Sequence, residues 1–333
     1  MDYRRRRACH EHVKIQRGIS KEVPGLHRKA HGKMMRKAIR IILLLLVILI
    51  VPAAISEIFL RYAFYTGFDR LLSDPDGDGS EIEEAKAFLG TCDDVYILSD
   101  DGLKLHAYFY NRNSSGRYII TMHGYKDTAL YNGIFYRYMA ECGYDVLVID
   151  VRGHGKSEGV WLSMGEKEKD DLLLWVDYIR TMDEDAKIVL HGVSMGGAAV
   201  MLAAGENPAN VVAAIEESGY SSVYDEFQYL LESHHIPARL LLNMTDAWCR
   251  IRLGFSFSSI IPSEAVKKTE IPMFFIHGSN DTFVPTEMVW PCYENHNGEK
   301  EIWIAEGAVH ARCMDKYKDE YNRRCLEFIE CYI

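Results

Sequence analysis

Ser194 sits in HGVSMGG (191–197), between the apolar run Ile188-Val189-Leu190 and an alanine-rich stretch holding Ala198, Ala199, Ala203 and Ala204. Glycines on both sides of a serine suit a sharp strand-to-helix turn that lifts the hydroxyl above a sheet. They equally suit a turn with no chemistry, so the serine needs company. A neutral hydroxyl is a poor nucleophile: it needs an imidazole base, and the base needs a carboxylate to fix its tautomer. Further along, HGSNDTFVP (277–285) offers Asp281 and GAVHA (307–311) offers His310. The rivals are Asn280 as the position-holder, Asp281 as a simple turn former, and His310 as a surface loop histidine.

These residues must be carried by elements, and the chain has a clear rhythm from about residue 92. DVYILSDDGLKLHAYFY (94–110) reads as two strands around an Asp-Gly turn. GRYIITMHGY, DVLVIDVRGHG, KIVLHGVSMGG, VVAAIEES, IPMFFIHGSND and EIWIAEGAVH read as six more strands. Helical patterns separate several of them, as in EKDDLLLWVDYIRTM, and DEYNRRCLEFIECYI closes the chain. Apolar strands alternating with helices predict an α/β fold with a mainly parallel sheet covered on both faces. Residues 218–268 break the rhythm with a helical, aromatic and leucine-rich segment, which predicts an inserted cap. Its composition favours apolar acyl groups, unless the cap residues simply pack together.

In such sheets the reactive groups gather at the carboxyl ends of the strands. Ser194, His123-Gly124-Tyr125, Asp281 and His310 all follow strands in this reading. Gly192, Gly196 and Gly197 permit the turn at Ser194. The helix that starts at the serine points its first amides at any oxyanion formed there. His123 and Gly124 form the earlier turn, where a second backbone donor is wanted.

Taken together, HGY, DVRGHGKS, GVSMGG, HGSNDTFVP and GAVHA resemble the α/β-hydrolase superfamily from about residue 90 to the end, in the family's order and at similar spacings. More narrowly, the chain resembles membrane-anchored, serine-aminopeptidase-like hydrolases. The resemblance implies Ser194 as nucleophile, His310 as general base and acid, and Asp281 as its orienting carboxylate. It also implies an oxyanion hole from the amides of Tyr125 and Met195, and an acyl-enzyme mechanism with no cofactor and no metal. Arg152, Asp150 and His154 are read as shaping their loop, and His234 and His235 as bystanders in the cap.

Charge and hydropathy bear on location. The net charge of -10 hides a +10 segment over residues 1–40 and a remainder of -20. A basic tail suits either nucleic acid or an anionic membrane; the uncharged run Ile41–Ile55 that follows decides for the membrane and against nucleic acid. Counted from Ala38 to Leu60, it gives a span, with Tyr62, Phe64, Tyr65 and Phe68 as an aromatic belt. The expected organisation is therefore a basic cytoplasmic segment (1–37), a transmembrane signal-anchor (38–60), a linker and helix (61–91), and a hydrolase domain (92–333) with its cap near 218–268. The catalytic part then lies outside the cytoplasm. A cleaved signal peptide ending at Ala54-Ile55-Ser56 is the alternative, with a secreted product. Met34-Met35 begins a more conventional short leader, so residues 1–33 are read as a possible upstream extension. Cys9 would be cytoplasmic, and most of the other seven cysteines are expected to be buried small hydrophobes.

Two motifs tempt and fail. RGHGKS has the Gly-Lys-Ser of a phosphate loop but Asp150 where that loop needs glycine. Asp74, Asp76, Asp78 and Gly79 start like a calcium loop, but Ala85 stands where the bidentate glutamate belongs. Asn113 and Asn243 match glycosylation acceptors. The function expected is a membrane-tethered serine hydrolase acting on a small ester. Short-peptide cleavage and a non-catalytic binding module are the alternatives.

Overall fold

The computed structural model describes residues 24–67, 79–112 and 114–333, with side chains from residue 31. The calcium-loop-like run Asp74–Asp78, the belt residue Phe68, Asn113 and most of the basic tail lie outside the described residues. The chain divides into two compact units, Met1–Ile55 and Ser56–Ile333.

One long helix, α1 (Pro24–Phe64), carries the apolar run. Residues 41–51 of that run are all exposed. Long enough and apolar enough to cross a membrane, the helix also passes the test that a signal sequence passes. The expected span ended at Leu60, but Ser56, Leu60 and Phe64 are buried inside the second unit. That leaves 38–55 outside it, about 27 Å of helix at 1.5 Å per residue. Phe64 is thus a core residue rather than part of an aromatic belt, and Tyr65 packs edge-on against Trp161 at 5.0 Å.

The second unit is built on eight strands: β1 (Asp93–Leu98), β2 (Lys104–Tyr110), β3 (Arg117–Met122), β4 (Asp145–Asp150), β5 (Lys187–Val193), β6 (Val211–Glu217), β7 (Met273–Gly278) and β8 (Lys300–Ala305). They form one sheet in the order β1-β2-β4-β3-β5-β6-β7-β8. β2 runs antiparallel to β1 and β4, and the other pairings are parallel. The central strands are buried along almost their whole length and mostly apolar, because both faces are covered, as parallel sheets require.

The helices that cover it include α2 (Gly79–Leu89), α3 (Gly133–Glu141), α4 (Glu166–Met182) and α5 (Met195–Ala204). All of α5 is buried, which explains its run of alanine and small residues packed between sheet and neighbours. Between β6 and β7 the chain inserts α6 (Val223–Ser233) and α7 (Ala238–Leu253), followed by short helical turns. This is the cap that the break in rhythm predicted. Then come α8 (Val289–Asn295), which the sequence reading did not separate out, and the closing α9 (Lys318–Glu330). The seven cysteines among the described residues are all free thiols; four are buried, Cys92 and Cys142 are half-buried, and Cys331 is exposed.

Candidate active site

Strand β5 ends at Val193, and Ser194 follows with φ 56° and ψ -118°, a conformation that costs an L residue about 1–3 kcal/mol. The neighbourhood holds it there. Ser194 N donates to Glu217 O at 2.7 Å, tying the turn to the end of β6. The glycines serve space rather than positive φ. A Cβ on Gly192 would lie 2.3 Å from Gly196 O, and one on Gly196 would lie 2.5 Å from Met122 O. The turn therefore closes only because those two positions have no side chain. Met195 is the first residue of α5, so its N–H has no acceptor within the helix and lies beside the serine.

The loop after β3 runs against this turn. A Cβ on Gly124 would lie 3.2 Å from Ser194 Cβ. His123 holds the loop: its Nε2 accepts from Val151 N at 3.1 Å, so Nδ1 carries the hydrogen and donates to Gly124 O at 2.9 Å. Burial, with the nearby His154 ring, drives its pKa down to about 3, which keeps it neutral. Tyr125 reaches the other way and donates its hydroxyl to Tyr62 O at 3.0 Å.

Three side chains from three loops then meet. Ser194 Oγ lies 2.9 Å from His310 Nε2, and His310 Nδ1 lies 2.8 Å from Asp281 Oδ2. Asp281 is buried, and its Oδ1 accepts from Phe283 N at 3.0 Å and Val284 N at 2.9 Å. Burial works against its charge, but hydrogen bonds from His277 and His310 outweigh it and hold the carboxyl below its ordinary value. An ionised Asp281 only accepts, so His310 carries its hydrogen on Nδ1 and presents a bare Nε2 to the serine hydroxyl. Phe283 lies against the His310 ring at 4.9 Å. Asn280, the rival position-holder, is exposed, with its amide on Ala308 O.

The remaining sequence expectations sort cleanly. Arg152 binds Asp171 through two 2.6 Å contacts and Asp101 at 3.0 Å, so it shapes its loop. His154 accompanies it, with Nδ1 3.1 Å from Arg152 O. His234 and His235 are exposed at the end of α6. A cavity of about 430 Å³ opens between α2 and the loop after β4, lined by Lys86, Asp94, Tyr108, Asp150 and Lys156 among others; none of the three meeting side chains lines it.

Sequence reasoning missed three features. The first is His277, one residue in from the end of β7, which reaches Asp281; it is buried in an apolar strand run and looked like core. The second is Glu226 on α6, buried with both carboxylate oxygens unpartnered and close enough to Asp281 to feel its charge. The third is the end of α1. Phe227 and Phe257 of the cap region pack on Phe64 at 5.6 and 6.0 Å, Phe227 also packs on Phe59 at 5.5 Å, and Trp248 donates to Glu57 at 3.0 Å. The cap aromatics thus seat this helix, which removes the compositional argument for an apolar acyl group. Only the apolar positions of residues 56–64 hinted at it.

The strand order, the serine on its turn after β5 and the helical insertion after β6 give the chain the α/β-hydrolase fold. Residues 114–253 match the family described as serine aminopeptidase, S33. The uncharacterized protein YqkD of Bacillus subtilis (strain 168) is 27% identical over 237 residues, covering 70% of this chain and 78% of that protein. Caffeoylshikimate esterase of Arabidopsis thaliana is 28% identical over 208 residues, covering 51% of this chain and 63% of the relative. Among solved structures, the Pyrococcus furiosus esterase Pf2001 superposes with a TM-score of 0.62 at 23% identity, over 78% of this chain and 96% of that one.

Proposed function

We propose that the protein is a serine hydrolase that cleaves esters of small acids through an acyl-enzyme on Ser194. The observation that carries this reading is the continuous hydrogen-bonded row Ser194–His310–Asp281, with the bare imidazole nitrogen 2.9 Å from the hydroxyl. His310 takes the serine proton as Oγ attacks the carbonyl carbon, then returns it to the leaving alcohol. Water, deprotonated by the same nitrogen, releases the acid and restores the serine. Asp281 stabilises the imidazolium that forms in each half-reaction. The tetrahedral oxyanion falls to the amides of Met195 and Tyr125, and losing one such donor typically costs about 3 kcal/mol of transition-state stabilisation. No cofactor or metal enters these steps.

Esters are preferred to peptides because two of the similar proteins are described as esterases. The peptide alternative draws on the family description, serine aminopeptidase. A series of nitrophenyl esters of rising acyl length, set beside aminoacyl nitroanilides, separates the two. Labelling of Ser194 by a fluorophosphonate, absent in Ser194→Ala, is expected under either; a folded protein that takes no label would be a non-catalytic binding module.

The same proposal places the catalytic unit outside the cytoplasm, tethered by α1 with its basic end inside. The exposed apolar residues 41–51 support the tether, and the burial of Ser56 and the Trp248–Glu57 bond support an uncleaved helix. Membrane fractionation with N-terminal mass analysis tests it. A secreted product beginning near residue 57 is the opposite outcome.

A further inference from the structure

Asp281 Oδ2 faces a second imidazole. His277 Nε2 lies 3.3 Å from that oxygen and 3.0 Å from Val284 O. A backbone carbonyl only accepts, so Nε2 must carry the ring hydrogen, and the same hydrogen is directed at Asp281. Val284 closes the ring, because its N–H donates to Asp281 Oδ1 while its C=O receives from His277. Behind the imidazole stands Glu216. Strands β6 and β7 pair with Glu216 opposite Phe275, which puts Glu216 and His277 on one face of the sheet. Each keeps one buried polar atom, Glu216 Oε1 and His277 Nδ1, without a hydrogen-bond partner. The other carboxylate oxygen of Glu216 accepts from Gly219 N at 2.9 Å.

We infer that His277 is a positioning residue that holds Asp281 for catalysis, so that the row runs His277–Asp281–His310–Ser194, with Glu216 on the same face of the sheet as His277. This inference rests on the reading of Ser194, His310 and Asp281 as a catalytic triad. Burial pushes Glu216 up to about 8, so at neutral pH it is protonated, and its free Oε1 and His277 Nδ1 do not bond each other. The other titratable groups around the pair are Cys292 of α8, Glu217 of β6, Cys313 in the loop after β8 and Glu226 of the cap. A second donor on Asp281 Oδ2 draws off part of the charge that stabilises the His310 imidazolium. His277 thereby sets both the direction of the carboxylate and the pH at which His310 becomes a usable base.

A histidine that merely filled the core would affect stability and leave the pH profile in place. The test uses the full chain in detergent and the pH dependence of kcat/KM on a nitrophenyl ester. In His277→Met, which lacks the donor, the acid limb is expected to move up by about 0.5–1 pH unit, and kcat to fall roughly tenfold through misplacement. His277→Gln, whose amide reaches the Nε2 position, is expected to restore the limb and most of the rate. Nitrogen NMR of histidine-labelled wild type needs no variant: it should find Nε2 of His277 protonated at neutral pH. A bare Nε2 overturns the inference, as does a limb that stays in place in folded His277→Met while Ser194→Ala is inactive. Turnover that survives Ser194→Ala overturns the triad reading instead, and the spectrum tells the two failures apart.

Discussion

The turn at Ser194 and the cap above it are held by opposite means. At the turn, backbone meets backbone: Gly192 and Gly196 leave no room for a methyl group, Gly124 leaves little, and Ser194 N is bonded to Glu217 O. In the cap, side chains meet side chains, with Phe59 and Phe64 of α1 among Phe227, Phe255 and Phe257. Both carboxylate oxygens of Asp281 are matched, whereas Glu226 has neither oxygen satisfied. Under the proposed function the turn has to place a proton within tenths of an ångström, and its backbone contacts leave it little room to shift. The insertion after β6 is held instead by contacts between side chains.

The contrast can be broken or sharpened by experiment. The largest effect belongs to Ser194→Ala, which should lower kcat by roughly 10⁵–10⁶-fold on the best ester while the melting temperature holds or rises as the strain at φ 56° is relieved. Next is Gly196→Ala. Its new Cβ would meet Met122 O at 2.5 Å and His123 O at 2.8 Å, so the turn must shift. Activity per folded molecule should fall at least about 100-fold, and a variant with normal turnover would show that the turn has slack.

On the cap side, Phe64→Ala empties a fully buried site and should cost about 3–5 kcal/mol in denaturant unfolding. Its kcat per folded molecule should change far less than that of Gly196→Ala; equal losses would erase the distinction. The smallest effect concerns Glu226, which burial and then the charge of Asp281 push up to about 8. Between its ordinary value near 4.5 and about 8, the folded protein keeps a proton that the unfolded chain has released. The stabilisation present at low pH is therefore lost as pH rises through that window. Glu226→Gln should flatten the dependence and be more stable than wild type at pH 8 by about 1–3 kcal/mol. Melting curves at several pH values that run parallel for the two proteins would count against this.

Much of this was legible in the chain. Periodicity marked all eight strands and the cap, because strands buried on both faces must be apolar throughout and an insertion interrupts the alternation. The three meeting side chains stood out because each follows a strand inside a short motif whose residue types suit nucleophile, base and carboxylate. Other parts were not legible. His277 has the same burial as its apolar neighbours, and its partner Asp281 is reached only through the turn at Val284. The end of α1 read as membrane because apolar residues look the same whether lipid or protein covers them; burial of Leu60 and Phe64 in the folded unit distinguishes the two.

By itself, the sequence determined the layers, the order of the strands along the chain and the kinds of groups at their carboxyl ends, because these follow from local periodicity and turn chemistry. Only the tertiary structure decided which polar atoms are paired, which aromatic side chains seat a helix, and which imidazole stands behind Asp281. Those outcomes depend on distances between residues far apart in the chain, and distance is set by packing rather than by the order of residues.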